Sequence, residues 1–143
     1  FCPASVIEAD GVKAVASTAD LFKACQIVSL HIPATAETKQ SINYSLLSLM
    51  PKGALLINTA RKEVIYEEDL ARILEERTDF HYVADVAPTI ADTLKEKFGN
   101  RVFFTPKKMG AQTAEANINA GIAAARQSVG YLKDGIDKFR VNK

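Results

Sequence analysis

The stretch Ala54–Leu70, ALLINTARKEVIYEEDL, constrains this chain more than any other. It opens on an unbroken apolar run, Ala54-Leu55-Leu56-Ile57, with the length and composition of a strand buried on both faces of a parallel sheet. The run gives way to Asn58-Thr59-Ala60-Arg61, small residues followed by a cation. An acid-rich segment, Glu67-Glu68-Asp69, then leads into Leu70, Ile73 and Leu74 at helical spacing. Acids suit the first turn of a helix, where unsatisfied N–H groups leave partial positive charge. Strand, polar turn and helix in that order make one βα unit. In open α/β sheets ligands bind at the carboxyl ends of the strands, so Arg61 is aimed at a site rather than at bulk water.

The same alternation runs through the rest of the chain. Gln26–Ile32, QIVSLHI, is apolar and β-branched and stops at Pro33, which has no N–H for a ladder. Phe80–Val86 and Arg101–Thr105 read as strands, and a further short one is expected at Val12–Ala16, entered through Gly11 after an opening loop with a little helix. Ser17 or Thr18 can cap a short helix that turns Leu21 and Phe22 toward the core. Helices are expected at Tyr44–Met50, closed by Pro51-Lys52-Gly53, at Glu67–Glu76, and at Ala91–Phe98, halted by Gly99-Asn100. A long helix is expected from Thr113 to about Lys133. Its Ala114, Ile118, Ile122, Ala125, Val129 and Leu132 fall at steps of three and four, which predicts one buried stripe. Strands alternating with helices mean an α/β fold with a mostly parallel sheet.

Composition removes several function classes. A 143-residue chain that is 48% hydrophobic has apolar surface enough for one domain's core, and a net charge of +1 gives no electrostatic case for nucleic acid or an anionic membrane. The apolar runs fall far short of the ~20 residues that span a bilayer. Cys2 and Cys25 form no metal or redox spacing, so no metal site is expected, and a reducing, cytoplasmic setting is. No signal peptide is visible. P-loop, G-x-S-x-G and G-x-G-x-x-G motifs are all absent; Gly110 and Gly121 stand too far apart to form the last. The opening Phe1-Cys2-Pro3, without an initiator methionine, suggests a piece of a longer chain.

Three segments carry a resemblance. LHIPATAET (Leu30–Thr38), LINTARKEVIYEEDL (Leu56–Leu70) and VADV…VFFTPKKMGAQTAEA (Val83–Ala116), in this order and spacing, resemble the D-2-hydroxyacid dehydrogenases. Within that family they are most similar to the phosphoglycerate dehydrogenase branch of serine biosynthesis. The resemblance implies a doubly wound, Rossmann-type parallel sheet, present here in part, with NAD as cofactor. Strand order in such sheets is 3-2-1-4-5-6, with a seventh at the edge in this family. On that map Val12–Ala16 would be the third strand and Gln26–Ile32 the fourth. The first two strands and their glycine-rich loop would be missing, leaving a gap in the sheet. Residues 1–110 would be the later part of the NAD-binding domain, and residues 111–143 a long helix and tail returning to a substrate-binding domain.

The same resemblance implies roles. Arg61 would hold the carboxylate of a small 2-hydroxy acid and polarise its oxygen, which suits a planar cation that binds two oxygens and stays charged. Asp85 would accept from the nicotinamide carboxamide. His31, Ile32, Pro33 and Thr38 would line the cofactor, and Asn58, Thr59, Ala60 and Gly110 would lie against it, Thr59 and Ala60 through main chain. His31 is not the family's catalytic histidine, and His81 reads as structural.

Three departures matter. The family's T-P-H-x-G is replaced by Thr105-Pro106-Lys107-Lys108-Met109-Gly110; its acid-proline pair after the Asp85 position is replaced by Ala87-Pro88-Thr89-Ile90-Ala91; its R-G-G is replaced by Arg61-Lys62-Glu63. Either the site is dead and the fold serves as a cofactor-dependent scaffold, or a lysine has taken over from the histidine–glutamate pair. Chemistry favours the lysine. A histidine acid with a pKa of ~6.5 leans on a carboxylate, whereas a lysine at ~10.4 needs none. Burial beside Arg61 would lower it toward the ~7–8 that suits a base. Lys107 takes the histidine's place counting from Thr105-Pro106, and Lys108 counting back from Gly110. The function expected is NAD-dependent oxidation of 3-phosphoglycerate in a homodimer. The alternatives are a glyoxylate or hydroxypyruvate reductase and a non-catalytic NAD-binding module.

Overall fold

The computed structural model describes residues 3–106 and 113–140. The chain divides into two compact units, Phe1–Lys107 and Lys108–Lys143. In the first, helices α1 (Ala4–Ala9) and α2 (Thr18–Ala24) precede strand β1 (Ile27–Leu30). Then come α3 (Tyr44–Leu47), β2 (Leu55–Asn58), α4 (Glu67–Glu76), β3 (His81–Ala84), α5 (Ala91–Phe98) and β4 (Val102–Phe104). Short 3-10 turns occupy Lys62–Val64 and Gly99–Arg101.

The four strands form one parallel sheet in the order β1-β2-β3-β4. Register lines up Val28, Leu56, Tyr82 and Val102 in one row and Leu30, Asn58, Ala84 and Phe104 in the next, all buried. These rows share one core with Phe22 of α2, Leu47 of α3, Leu70, Ile73 and Leu74 of α4, and Leu94 and Phe98 of α5. Each such leucine or phenylalanine contributes roughly 1.5–3 kcal/mol by leaving water. α4 forms where its sequence demands: Glu67, Glu68 and Asp69 fill its first turn, and its three apolar residues face the sheet.

The other face of the sheet differs. Ile27 and Phe103 are each 60% exposed, and Leu55, Ile57 and Val83 are half-buried. The Ala54–Ile57 run, expected to be buried on both faces, is therefore fully buried on one face only. Strand alternation makes this a single-face core, because successive side chains point opposite ways.

Opposite the carboxyl ends, a polar knot ties the amino ends together. Arg77 donates through Nη1 to the Met50 carbonyl at 2.7 Å and through Nη2 to the Pro51 carbonyl at 2.8 Å and to Asp79 Oδ2 at 2.6 Å. The Gly53 N–H donates to the same carboxylate at 2.6 Å. The Arg77 guanidinium, then the Gly53 N–H, hold the Asp79 carboxyl well below the usual carboxylate range. Gly53 sits at φ 76°, and a Cβ there would stand 2.7 Å from Gln26 Nε2, so the turn admits glycine alone without displacement. Arg101 donates to the carbonyls of Leu74 and Arg77, placing a cation at the carboxyl end of α4.

Two expectations are corrected here. Val12–Ala16 is not a strand: Val12 is 58% and Val15 41% exposed, and the segment pairs with no described strand, without which an extended segment is only a loop. It follows that the four strands have no gap between them; β1 is an edge of the described sheet, and the strands are consecutive in space as in sequence. His81, read as structural, lies at the amino end of β3, exposed, within 3.2 Å of the Asp79 carbonyl.

The second unit is α6, Ala114–Asp134, capped by Thr113 accepting from the Ala116 N–H and closed by Gly135 in the left-handed conformation. Its apolar stripe was expected to be buried; Ile118, Ile122, Val129 and Leu132 are instead all exposed. Among the described residues of its own unit the helix has only the segment Ile136–Arg140 beyond its Gly135 cap, too little to cover 21 residues. Among the described residues no helix is long and apolar enough to cross a membrane, and no cluster of three or more His, Cys, Asp or Glu is placed to hold a metal.

Candidate active site

One residue beyond the Leu30–Asn58–Ala84–Phe104 row lie His31, Thr59, Asp85 and Thr105, a polar rim along the carboxyl edge of the sheet. The rim is cross-linked strand to strand. Thr59 Oγ1 donates to the Leu30 carbonyl at 3.3 Å and lies 3.2 Å from His31 Nδ1, while Ser29 Oγ lies 2.9 Å from His31 Nε2. With the Thr59 hydroxyl donating to Leu30, His31 Nδ1 donates to Thr59 and Nε2 accepts from Ser29. The Asp85 N–H donates to the Asn58 carbonyl at 3.0 Å. Thr105 Oγ1 shares its one proton between the Asp85 carbonyl at 2.7 Å and Asp85 Oδ1 at 3.2 Å, a forked bond that orients that carboxylate.

Asn58 is the support beneath this rim. It is the buried polar residue of the core, 1% exposed. Its Oδ1 accepts from the Ala60 N–H at 3.0 Å; its Nδ2 donates to the Arg61 carbonyl at 3.2 Å and reaches Tyr82 Oη at 3.5 Å. An asparagine carries both donor and acceptor, so one side chain closes the turn at both ends. Burial pushes the Tyr82 hydroxyl up to about 12, so it stays a neutral donor or acceptor. The turn delivers Arg61 to the surface in an extended conformation, φ −104° and ψ 146°, just before the Lys62–Val64 turn. The Arg61 side chain is exposed and has no hydrogen bond or ion pair to the described residues. A guanidinium held on a braced turn and left open is equipped to take a carboxylate from outside.

The loop after β1 is stitched to the same turn. Gln40 N–H donates to the Glu63 carbonyl at 2.8 Å, Ile42 N–H to Val64, and Tyr66 N–H to Ile42. Thr38 spends its hydroxyl inside the loop, donating to the Pro33 carbonyl and accepting from the Thr35 N–H. Pro33 is exposed and Ile32 half-buried.

The structure thus gathers His31, Asn58, Thr59, Ala60, Arg61 and Asp85 along one edge, with Ile32, Pro33 and Thr38 on the loop leaving it. Lys107, Lys108 and Gly110 lie outside the described residues. Thr105, Tyr82 and Glu67 join the site in the structure, although the positions of Tyr82 and Glu67 in the sequence carry no functional signature of their own. A hydroxyl residue one step past a strand end was the available signal for Thr105.

The chemistry of this rim suits a nicotinamide. Small residues at Thr59 and Ala60 would let a flat ring approach the backbone, and the Asp85 carboxylate would accept from an amide N–H. The glycine-rich turn that would hold the pyrophosphate is not among the 143 residues.

Comparison with known proteins agrees. The family described as D-isomer specific 2-hydroxyacid dehydrogenase, NAD binding domain, matches residues 3–106. D-3-phosphoglycerate dehydrogenase of Haemophilus influenzae is 33% identical over 136 residues, 91% of this chain and 33% of that protein. The NAD+-bound crystal structure of 3-phosphoglycerate dehydrogenase from Entamoeba histolytica superposes with a TM-score of 0.81 at 44% identity, covering 97% of this chain and 50% of that one. D-lactate dehydrogenase of Escherichia coli superposes at 0.70 with 25% identity, covering 94% and 42%. The chain spans about a quarter to a third of the length of the curated relatives it matches. The parallel sheet, its polar carboxyl rim and the match over 3–106 converge on one conclusion: the chain belongs to the D-isomer specific 2-hydroxyacid dehydrogenases, through their NAD-binding domain.

Proposed function

We propose that the protein carrying this chain oxidises 3-phosphoglycerate to 3-phosphohydroxypyruvate with NAD, a step of serine biosynthesis. The observation that carries the reading is the Arg61 guanidinium, open on a turn braced by Asn58, on the same sheet edge as the Thr105-oriented Asp85. Arg61 binds the substrate carboxylate through two parallel N–H donors and draws charge from the adjacent oxygen. Asp85 accepts from the carboxamide and so fixes which face of the ring meets the substrate. When bound, NAD supplies the acceptor for the hydride that leaves the carbinol carbon. The hydroxyl proton goes to a lysine, Lys107 by position after Thr105-Pro106, with Lys108 the alternative. That lysine must be neutral to act as base, which asks for a pKa below the ordinary lysine value.

The phosphoglycerate assignment is supported by the named relatives at 33% and 44% identity. A homodimer is part of the same reading, supported by the exposed apolar stripe of α6. The test is steady-state NADH formation by the full-length protein on 3-phosphoglycerate, D-glycerate and D-lactate. A clear preference in kcat/KM for the phosphorylated acid is expected. A preference for the unphosphorylated acids would keep the family chemistry and remove the substrate. Tight NAD binding without turnover of any of them would make the protein a cofactor-binding module.

A further inference from the structure

Arg61 and Asp85 sit on separate turns, after β2 and after β3, yet the reaction proposed above needs both in one fixed geometry. Two side chains from the Arg61 side reach across. Glu67, in the first turn of α4, accepts with Oε1 from the Thr89 N–H at 2.7 Å and with Oε2 from the Ile90 N–H at 3.3 Å. These N–H groups belong to the cap residue of α5, Ile90, and to the residue before it, so Glu67 does from outside the helix what the glutamate of a capping box does for the cap N–H. Lys62, the residue after Arg61, donates from Nζ to Thr89 Oγ1 at 3.2 Å. Thr89 is therefore held at its backbone by one residue and at its hydroxyl by another. Glu67 and Lys62 are both half-buried, and Pro88 beside them is buried, which limits how far this short loop can swing.

We propose that Glu67 and Lys62 are positioning residues: together they clamp the loop of residues 86–90 to the Arg61 turn, so that Arg61 and Asp85 hold one spacing. The inference rests on the dehydrogenase reading for its consequence and on geometry for the clamp itself. The two fingers act differently. The carboxylate carries charge-assisted bonds to backbone donors and fixes the loop's height above the sheet. The lysine bridges directly from the residue bonded to Arg61, so slack in either turn is transmitted to the other.

Hydrogen exchange of the full-length protein tests the clamp without any need for turnover. Lys62→Met and Thr89→Val should each speed exchange in both segments, 61–64 and 86–90, by about tenfold, as local openings that leave the core amides protected. Lys62→Arg and Thr89→Ser, which keep a donor and a hydroxyl, should restore protection. Combining Lys62→Met with Thr89→Val should add nothing to either alone, since both remove the same bond. Kinetics then test the consequence. Lys62→Met should lower kcat at least about threefold with KM for NAD unchanged. Exchange that quickens only in the mutated segment overturns the clamp, whatever the protein turns over. Coupled exchange with normal kcat in Lys62→Met overturns the positioning role alone. Absence of turnover in the unaltered protein overturns the dehydrogenase reading and leaves the exchange result to decide the clamp.

Discussion

The backbone of Arg61 is braced while its side chain is not. The Asn58 amide fastens the turn at the Ala60 N–H and the Arg61 carbonyl, and among the described residues none takes the five guanidinium donors, which is what the proposed role needs. Arg61→Lys keeps the charge and loses the planar fork, so kcat/KM should fall by the equivalent of about 1–3 kcal/mol. An unchanged kcat/KM would show Arg61 to be an ordinary surface charge. The base is tested beside it: Lys107→Ala should lower kcat by roughly 10²–10⁴ with NAD affinity nearly unchanged. Near-normal turnover in that variant, with Lys108→Ala inactive, would move the role one residue along. Asn58 is tested by stability rather than rate. Asn58→Ala leaves the half-buried Ala60 N–H and the Arg61 carbonyl without their partner and a gap at a fully buried position, which should cost about 1–3 kcal/mol in urea unfolding. A loss within the noise would mean that water replaces the amide without cost.

At the scale of elements, the amino ends of the strands depend on the Arg77–Asp79 knot. Asp79 has its carboxyl lowered from 3.8 by Arg77 and the Gly53 N–H. A carboxylate with a depressed folded-state pKa stabilises fully above its unfolded value and loses that contribution as pH falls below it toward the folded value. Stability should therefore decline as pH drops below about 4, and Asp79→Asn should lose less stability between about pH 6 and pH 3 than the parent. Equal losses in the two would remove Asp79 from the account. Elements with a local signature were legible from sequence. α4 and α5 span the expected Glu67–Glu76 and Ala91–Phe98, because acids, periodicity and Gly99 mark their ends. The four core strands were placed and come out one to three residues shorter, since ladder pairing decides where a strand stops. Val12–Ala16 looked like a strand because apolar character is local, whereas pairing is not. The α6 stripe failed for the same reason: periodicity predicts a face, and only a partner buries it. At the site, Arg61 and Asp85 stand out as charges after apolar runs, and Asn58 acts on neighbours only two and three residues along. Glu67 acts on backbone groups 22 and 23 residues away, and spacing carries no trace of that.

At the scale of the molecule, the first unit is a sheet with one finished face and a carboxyl rim cross-linked from β1 to β4. Helices α2 to α5 share the finished face, while Ile27 and Phe103 stand exposed on the other. A doubly wound sheet carries helices on both faces, and here Ile27 and Phe103 leave one face partly open. What these residues hold is the chemistry-bearing rim, and its central claim is hydride transfer from a 2-hydroxy acid. The direct measurement uses 3-phosphoglycerate carrying deuterium on the carbinol carbon, incubated with NAD and the full-length protein, with the reduced cofactor analysed by mass spectrometry. Deuterium in the NADH, at one atom per turnover, is the result the account predicts. NADH formed without deuterium, or no NADH at all from a protein that binds NAD, would contradict it.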